Sequence, residues 1–293
     1  MSASGFVVLP EGNLYWCLQR AQVRSSPRPT LLFIHAGVAD HTLWSEQIEY
    51  FSARGWDAIV YDIFGFGMST PNDAFLKAGP TTRPKLKYHD HAARIAQHAR
   101  CGPVVVVGLS MGGAIAIDFT LAYPDFVCGL VTIAGGLSGF QAPNTVEEDA
   151  LFARLDRMME KKDVEDAAKL NVRIWGDGPH MEEGRLDSRV RERLYVWCKD
   201  IARRESNSTG GFVFDAEDLE PTASQRLSEI RVPVAVGIGT MDETSTIAAM
   251  RYVAEHVSNC TVQEFPAAHM VNLEHPNMFN GWLDGWLHRF LDK

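Results

Sequence analysis

The apolar positions of the chain fall into short continuous runs and longer amphipathic stretches. The continuous runs cover residues 30–35, 57–61, 103–107, 127–134 and 232–238. Runs of this length are typical of strands that are buried on both faces of a parallel sheet. Residues 6–9 and 14–19 flank the turn sequence PEGN and predict a hairpin, and residues 260–265 predict a last strand.

Stretches with helical spacing lie between these strands, at residues 42–53, 84–100, 111–122, 246–256 and 278–291. Strands that alternate with helices predict a parallel sheet with helices on both faces. From about residue 139 the pattern changes, because charged amphipathic helices follow one another at 147–159, 164–172 and 189–204 without strand-like runs. We therefore predict an α/β core formed by residues 1–138 and 227–293, with a helical cap at 139–226.

Composition and charge exclude several classes of protein. The 293 residues are 46% hydrophobic and 22% charged, with a net charge of −9, which disfavours nucleic-acid binding. We see no secretory signal pattern, no apolar run long enough to span a membrane and no C-x-x-C pair among five cysteines. We expect a cytoplasmic protein with reduced thiols that acts on a small molecule, and a homodimer stays open.

The sharpest chemical signal is the segment GLSMGG at 108–113, between a valine-rich strand and a helix of small residues. A serine at such a turn must adopt a strained backbone to hold its hydroxyl above the sheet. Glycines two residues away on each side suit this turn, because a Cβ atom there would meet neighbouring backbone. Ser110 is therefore the candidate nucleophile.

A serine hydroxyl needs a base to remove its proton, and the base needs an acid to fix its tautomer. His269 follows the last predicted strand, so it lies at the same carboxyl edge of the sheet as Ser110. Asp242 follows the strand at 232–238, and the chain order Ser, Asp, His is the one expected with this kind of turn. Glu243 is the competing acid.

The developing negative oxygen needs two backbone donors. Met111 begins the helix after Ser110 and supplies one N–H. The turn HAGV at 35–38 supplies the other, and we predict Gly37 because a glycine lets backbone approach the substrate closely. His35 is interpreted as a structural residue of that turn.

Further predictions concern the pocket and cofactors. We predict no metal or cofactor, since His89 and His91 near Asp90 have no evident third ligand. The candidate pocket residues are Val38, Trp44, Trp175 and Trp197, and the alternative for the two cap tryptophans is simple packing within the cap.

Taken together, these residues resemble the α/β-hydrolase superfamily over nearly the whole chain. DIFGFGMS at 62–69 is similar to the family's D-x-x-G-x-G-x-S segment, and AHMVNLEHP at 268–276 resembles the branch of 3-oxoadipate enol-lactonases. RIWGDGP at 173–179 is similar to an LWxDGP-type segment of relatives of that branch. The resemblance implies an α/β-hydrolase fold with Ser110, Asp242 and His269 as the triad and the amides of Gly37 and Met111 as oxyanion donors.

Two departures from the family pattern stand out. Ala36 occupies a position where the family usually has glycine, which leaves Gly37 and Val38 both open as the second oxyanion donor. Phe64 stands where arginine is common.

The expected reaction is cleavage of a small carboxylic ester or lactone through an acyl-enzyme on Ser110. Dehalogenases and epoxide hydrolases of this fold use an aspartate nucleophile, so Ser110 disfavours both. Carbon–carbon hydrolases of ring-cleavage diketones use the same triad but typically have asparagine where this chain has Leu109, and they rank second. A ligand receptor on a hydrolase scaffold is the alternative outside the enzymes.

Overall fold

The strands form one mixed sheet in the computed structural model, which describes residues 2–23, 27–79, 82–207 and 214–291. The strands are β1 (Ser2–Leu9), β2 (Gly12–Gln19), β3 (Leu31–Ile34), β4 (Ala58–Tyr61), β5 (Thr70–Pro71), β6 (Val104–Leu109), β7 (Val127–Ile133), β8 (Val234–Gly239) and β9 (Cys260–Phe265). Their order is β1-β2-β4-β3-β6-β7-β8-β9, and β5 pairs with β2. β2 runs antiparallel to its neighbours, whereas β3, β4 and β6 to β9 run parallel to one another.

Helices cover both faces of this sheet. They are α1 (Ser45–Ser52), α2 (Asp73–Lys77), α3 (Tyr88–His98), α4 (Met111–Ala122), α5 (Val146–Glu160), α6 (Val164–Asn171), α7 (Ser188–Asn207), α8 (Ala223–Arg226), α9 (Thr244–His256), α10 (Val271–Glu274) and α11 (Pro276–Leu291). None of the helices in the described ranges is both long enough and apolar enough to cross a membrane.

The central strand β6 shows why its sequence is a continuous apolar run. Val104 and Val106 belong to the apolar cluster on one face of the sheet, and Val105 and Val107 to the cluster on the other. All four side chains are fully buried. A strand between two helical layers cannot alternate apolar with polar residues, because both of its faces are interior. The predicted mostly parallel α/β sheet is confirmed.

Three local predictions differ from the structure. The helix expected from residue 84 begins at Tyr88, because Leu86 is extended and exchanges backbone hydrogen bonds with Asp215 and Glu217. The first strand begins at Ser2 rather than at residue 6, since the hairpin pairing continues to Gln19. The short β5, α2, α8 and α10 were not predicted.

Residues 139–226 lie between β7 and β8 in the sequence and are called the inserted segment. Their described part contains α5 to α8 and a π-helical turn, Val172–Asp177. Because β7 lies beside β6 and runs parallel to it, the segment starts at the sheet edge where β6 delivers Ser110. This position brings the helices of the insertion to the edge that carries the candidate chemistry.

Candidate active site

Ser110 occupies a strained turn between β6 and α4. Its backbone has φ 59° and ψ −121°, a region that side chains other than glycine rarely adopt. A Cβ on Gly108 would lie 2.0 Å from the carbonyl oxygen of Gly112, and a Cβ on Gly112 would lie 2.3 Å from that of Ile34. Both glycines are therefore required by close backbone contact, and they allow α4 to start directly behind the serine.

His269 and Asp242 lie side by side on two loops at the carboxyl edge of the sheet. Asp242 precedes α9 and His269 follows β9, and both side chains are almost fully buried. The ring nitrogen Nδ1 of His269 lies 2.8 and 3.0 Å from the two carboxylate oxygens of Asp242. Since a carboxylate can only accept, Nδ1 carries the hydrogen and Nε2 is left as the basic nitrogen.

Glu243 points elsewhere. Its oxygen Oε1 accepts hydrogen bonds from the hydroxyls of Ser245 at 2.6 Å and Thr246 at 2.7 Å, in the first turn of α9. Its amide donates to Asp242 Oδ1 at 2.8 Å. The two adjacent acids therefore have different partners, and the structure brings Asp242, not Glu243, to His269.

The Ser110 hydroxyl is half-buried and makes no hydrogen bond within the described residues. In catalytic sites the bond between nucleophile and base often tightens only when substrate is bound. The amide of Ser110 donates to the carbonyl of Ile133 at 2.8 Å, which fixes the turn against the end of β7.

Three amides near this turn are available for a negative oxygen. The carbonyl of Ser110 accepts from the amides of Gly113 and Ala114, whereas the amide of Met111 has no acceptor in the described part of the chain. The amides of Gly37 and Val38 are equally unpaired there. The Gly37 loop lies close to Met111, because a Cβ on Gly37 would be 3.6 Å from the Met111 side chain.

His35 ties this loop to the end of β4. Its Nδ1 donates to the Ala36 carbonyl at 2.8 Å, and its Nε2 accepts from the amide of Ile63 at 2.9 Å. These two bonds require the neutral ring, and complete burial also lowers the pKa of His35. The contacts are those of a structural residue.

Asp62, directly after β4, binds the segment that follows the Gly37 loop. It is fully buried and accepts from the amide of His41 at 2.7 Å and from that of Met68 at 2.7 Å. Burial alone would lower the pKa of His41, but the hydrogen bond to Asp62 and its charge outweigh this and raise it. Asp40, His41 and Asp62 place possible ligand atoms within 4.8 Å of one another, yet these atoms are engaged in hydrogen bonds of the loop.

Trp175 reaches the candidate base directly. Its ring centroid lies 4.6 Å from that of His269, and the ring of Phe152 in α5 packs against it with a centroid distance of 5.8 Å. The indole nitrogen donates to Asn171 Oδ1 at 3.1 Å. Trp175 lies in the π-helical turn, a rare feature that often occurs at functional sites.

Two of the other predicted pocket residues, Trp44 and Trp197, lie in the apolar core. Trp44 is completely buried between Phe33 and Phe279, so the structure places it in the core and not at a pocket wall. Its side chain lies in the layer between the sheet and the helices. Trp197 packs in the same apolar cluster with the guanidinium of Arg193 over its ring, and Val38 lies partly buried at its border.

A cavity of about 380 Å³ borders the turn on the Met111 side. Its lining includes Ser138 and four acidic residues, Asp118, Asp215, Glu217 and Asp218. Burial, together with the charge of Asp218, raises the pKa of Asp118 to about 7. Sequence reasoning missed this acidic lining, because Asp118 reads as one polar position in an otherwise apolar helix.

Curated proteins with known names are similar to this chain over most of its length. The chain is 25% identical over 275 residues to the 3-oxoadipate enol-lactonase 2 of Acinetobacter baylyi, covering 93% of this chain and 94% of the relative. It is 26% identical to a 2-hydroxy-6-oxononadienedioate/2-hydroxy-6-oxononatrienedioate hydrolase of Burkholderia vietnamiensis, over 88% of this chain and 87% of the relative.

Solved structures show the same fold. The crystal structure of the carboxylesterase CesB from Bacillus subtilis superposes with a TM-score of 0.69 at 19% identity, covering 98% of this chain and 92% of the other. The family model described as the alpha/beta hydrolase fold matches residues 29–276, which span β3 to the start of α11. The chain therefore belongs to the α/β-hydrolase fold family and is a hydrolase of that superfamily.

Proposed function

We propose that the protein is a serine hydrolase that cleaves a small carboxylic ester or lactone through an acyl-enzyme on Ser110. The observation that carries the proposal is the combination of a serine held at φ 59° above the sheet with a buried His269–Asp242 pair on neighbouring loops. Backbone strain at a residue other than glycine costs free energy and is found mainly at functional sites. The known role of this type of turn is to expose a nucleophile to its base.

The proposed mechanism assigns one task to each group. Ser110 Oγ attacks the substrate carbonyl while Nε2 of His269 takes the hydroxyl proton. Asp242 holds the Nδ1–H tautomer and stabilises the imidazolium that forms. The proton passes from His269 to the leaving alkoxide, and a water activated by the same ring then hydrolyses the acyl-enzyme.

The unpaired amides supply the oxyanion hole in this proposal. The amide of Met111 is one donor, at the start of α4 where the helix dipole also favours negative charge. The second is Gly37, with Val38 as the alternative, since both amides are unpaired among the described residues.

The pocket in this proposal is apolar next to the base. Trp175 and Phe152 form an aromatic wall beside His269, and Val38 and Met111 lie on the oxyanion side. Such a wall suits the acyl or alcohol group of an uncharged ester. A lactone fits the same chemistry, and the similarity to an enol-lactonase supports it.

Carbon–carbon bond hydrolysis is the second candidate, and the relative named as a 2-hydroxy-6-oxononadienedioate hydrolase favours it. The same three residues would serve: water adds to a ketone carbonyl, the adjacent carbon–carbon bond breaks, and the leaving carbon keeps the electron pair and takes up a proton. One experiment decides among these reactions: turnover of the wild type measured on a panel of nitrophenyl esters, lactones and ring-fission diketones.

A fluorophosphonate probe should label the wild type at Ser110, with peptide mapping to locate the adduct. Ester or lactone turnover together with this label supports the proposal. Turnover of diketones alone would replace it by the second candidate. Labelling elsewhere, or no turnover on any member of the panel, would remove the serine mechanism and favour a ligand receptor.

A further inference from the structure

The candidate base and its acid come from separate loops, so their 2.8 Å contact depends on how the two loops are held. Asp242 lies just before α9, and His269 lies between β9 and α10. Within its own loop Asp242 accepts one bond, from the amide of Glu243. Each loop is also bonded, directly or through one side chain, to the inserted segment.

The first contact is made by Glu148 of α5. Its Oε1 accepts from the amide of Thr244 at 2.7 Å and from the Thr244 hydroxyl at 3.1 Å. Thr244 is the first residue of α9, and the preceding Glu243 provides no side-chain cap for the helix amides. A carboxylate from the inserted segment therefore caps the helix that starts directly after Asp242.

Glu148 is built into this place. It is fully buried, and its other oxygen accepts from the amide of Thr145 at 2.7 Å while His180 contacts Oε1 at 3.0 Å. Burial would raise its pKa, but the hydrogen bonds from Thr145, Thr244 and His180 outweigh it and lower the pKa. The group is therefore a charged acceptor on both sides.

The second contact is made by Arg185. Its two terminal nitrogens bind the oxygens of Glu274 at 2.5 and 2.9 Å, a bidentate pair. Glu274 Oε2 also accepts from the amide of Ala268 at 3.2 Å, next to His269. Arg185 in turn donates to the carbonyls of Gly176 and Asp177. The ion pair therefore joins the π-helical turn to the loop that carries His269, between β9 and α10.

The inserted segment also packs against the loop between β8 and α9, which carries Asp242. Gly178 has φ +94°, and a Cβ there would lie 2.4 Å from the carbonyl oxygen of Met241. The backbone of the turn after Trp175 therefore packs directly against the residue before Asp242. The contacts between the Asp242 loop, the His269 loop and the π-helical turn are therefore contiguous.

We propose that Glu148 and Arg185 are positioning residues, which hold the Asp242 and His269 loops at the separation that their hydrogen bond requires. The expected effect on turnover rests on the function proposed above. The expected effect on the hydrogen bond between His269 and Asp242 does not. The inserted segment is then part of the framework that aligns the dyad and not only a cover over the substrate.

Glu148→Gln is the sharpest probe of this role. Glutamine has nearly the same shape but only one oxygen, so its NH₂ must face either the Thr145 amide or the Thr244 amide, donor against donor. We expect kcat to fall roughly 10- to 100-fold while KM stays within about threefold, as for a small misplacement of catalytic groups. Arg185→Ala should act in the same direction, and Arg185→Lys should recover part of the loss because it keeps the charge without the bidentate geometry.

The matched control is Glu165→Gln. Glu165 is a carboxylate of the same segment that binds Tyr195 and Lys199 at the surface, and within the described ranges it has no hydrogen bond or ion pair to either loop. It should leave kcat and KM at the wild-type values. Thermal unfolding of every variant, followed by circular dichroism, gives the temperature at which all are equally folded for the comparison.

A second readout does not depend on turnover. The Nδ1 proton of a histidine bonded to a carboxylate gives a low-field proton resonance, which His269→Ala would assign by its loss. We expect this resonance in the wild type and in Glu165→Gln, and expect it to be broadened or lost in Glu148→Gln and Arg185→Ala at full folding.

An unchanged resonance and unchanged kcat in folded Glu148→Gln and Arg185→Ala, with only a lower melting temperature, would overturn the proposal. If the wild type shows no serine reactivity, the proposed function fails, and the resonance still decides the positioning role by itself.

Discussion

Replacing Asp242 by asparagine tests the assignment of the acid most directly. Asp242 Oδ1 accepts from the Glu243 amide at 2.8 Å, and both oxygens face Nδ1 of His269. An asparagine that keeps the bond from Glu243 places its NH₂ at the position of Oδ2, the oxygen nearer to Nδ1 of His269. That group donates, so Nδ1 must become the acceptor and the hydrogen moves to Nε2, the nitrogen that has to act as base.

The loss expected from this reversed tautomer is large. In a serine protease the same replacement costs on the order of 10⁴-fold in turnover, which corresponds to about 5 kcal/mol of transition-state stabilisation. Burial of the pair strengthens the expectation, because water cannot easily replace the lost carboxylate. We expect Asp242→Asn to lose several orders of magnitude in kcat/KM and to show an altered pH dependence of the remaining activity.

Glu243→Gln is the neighbouring control. Its oxygen accepts from Ser245 and Thr246, and glutamine keeps one acceptor for these hydroxyls. The change removes a nearby charge without touching the His269 ring, so the rate should change by roughly tenfold at most. Both variants are measured on one ester at several pH values, with folding checked by circular dichroism. Equal losses, or a larger loss for Glu243→Gln, would refute the assignment.

Three further outcomes are expected. Ser110→Ala should fold normally, lose turnover and lose fluorophosphonate labelling, as seen by activity assay and mass spectrometry. Trp175→Leu removes the ring that contacts His269, so relative rates across the ester panel should shift by roughly tenfold; a drop in stability with unchanged relative rates would limit Trp175 to packing. Asp118→Asn should raise the melting temperature by an amount that grows from about pH 4 to 7 and is constant above, because burial raises the pKa of Asp118 from 3.8 to about 7 and ionisation therefore costs folding energy.

The parallel sheet could be predicted because each buried strand carries its own signal. β3, β4, β6 and β8 are buried at every position, and short continuous apolar runs are typical of strands with both faces in the interior. The prediction failed at Leu86, where polar helical residues suggested an earlier helix start. There the pairing of Leu86 with a segment 130 residues later in the chain fixes an extended backbone, and local periodicity contains no information about that partner.

The positions of Ser110, Asp242 and His269 could be predicted because each follows a recognisable strand. Parallel strands bring their carboxyl ends to one edge, so a loop position in the sequence translates into a position in space. Side-chain direction does not translate in the same way. Trp44 and Trp175 were both pocket candidates, yet Trp44 lies in the core, whereas Trp175, in a π-helical turn, contacts the ring of His269.

The contacts between the inserted segment and the two loops could not be predicted from sequence patterns, because they join residues that are far apart in the chain. Thr145 and Glu148 form a capping box, which the spacing of these two residues allows one to predict. The second task of Glu148, capping α9, joins residues 96 positions apart, and the Arg185–Glu274 pair joins residues 89 positions apart. Periodicity identifies which face of a helix is buried but not which distant group it meets. A charged residue at a cap position reads as a local signal, and only the folded chain shows that the same carboxylate also accepts from Thr244, the first residue of the helix after Asp242.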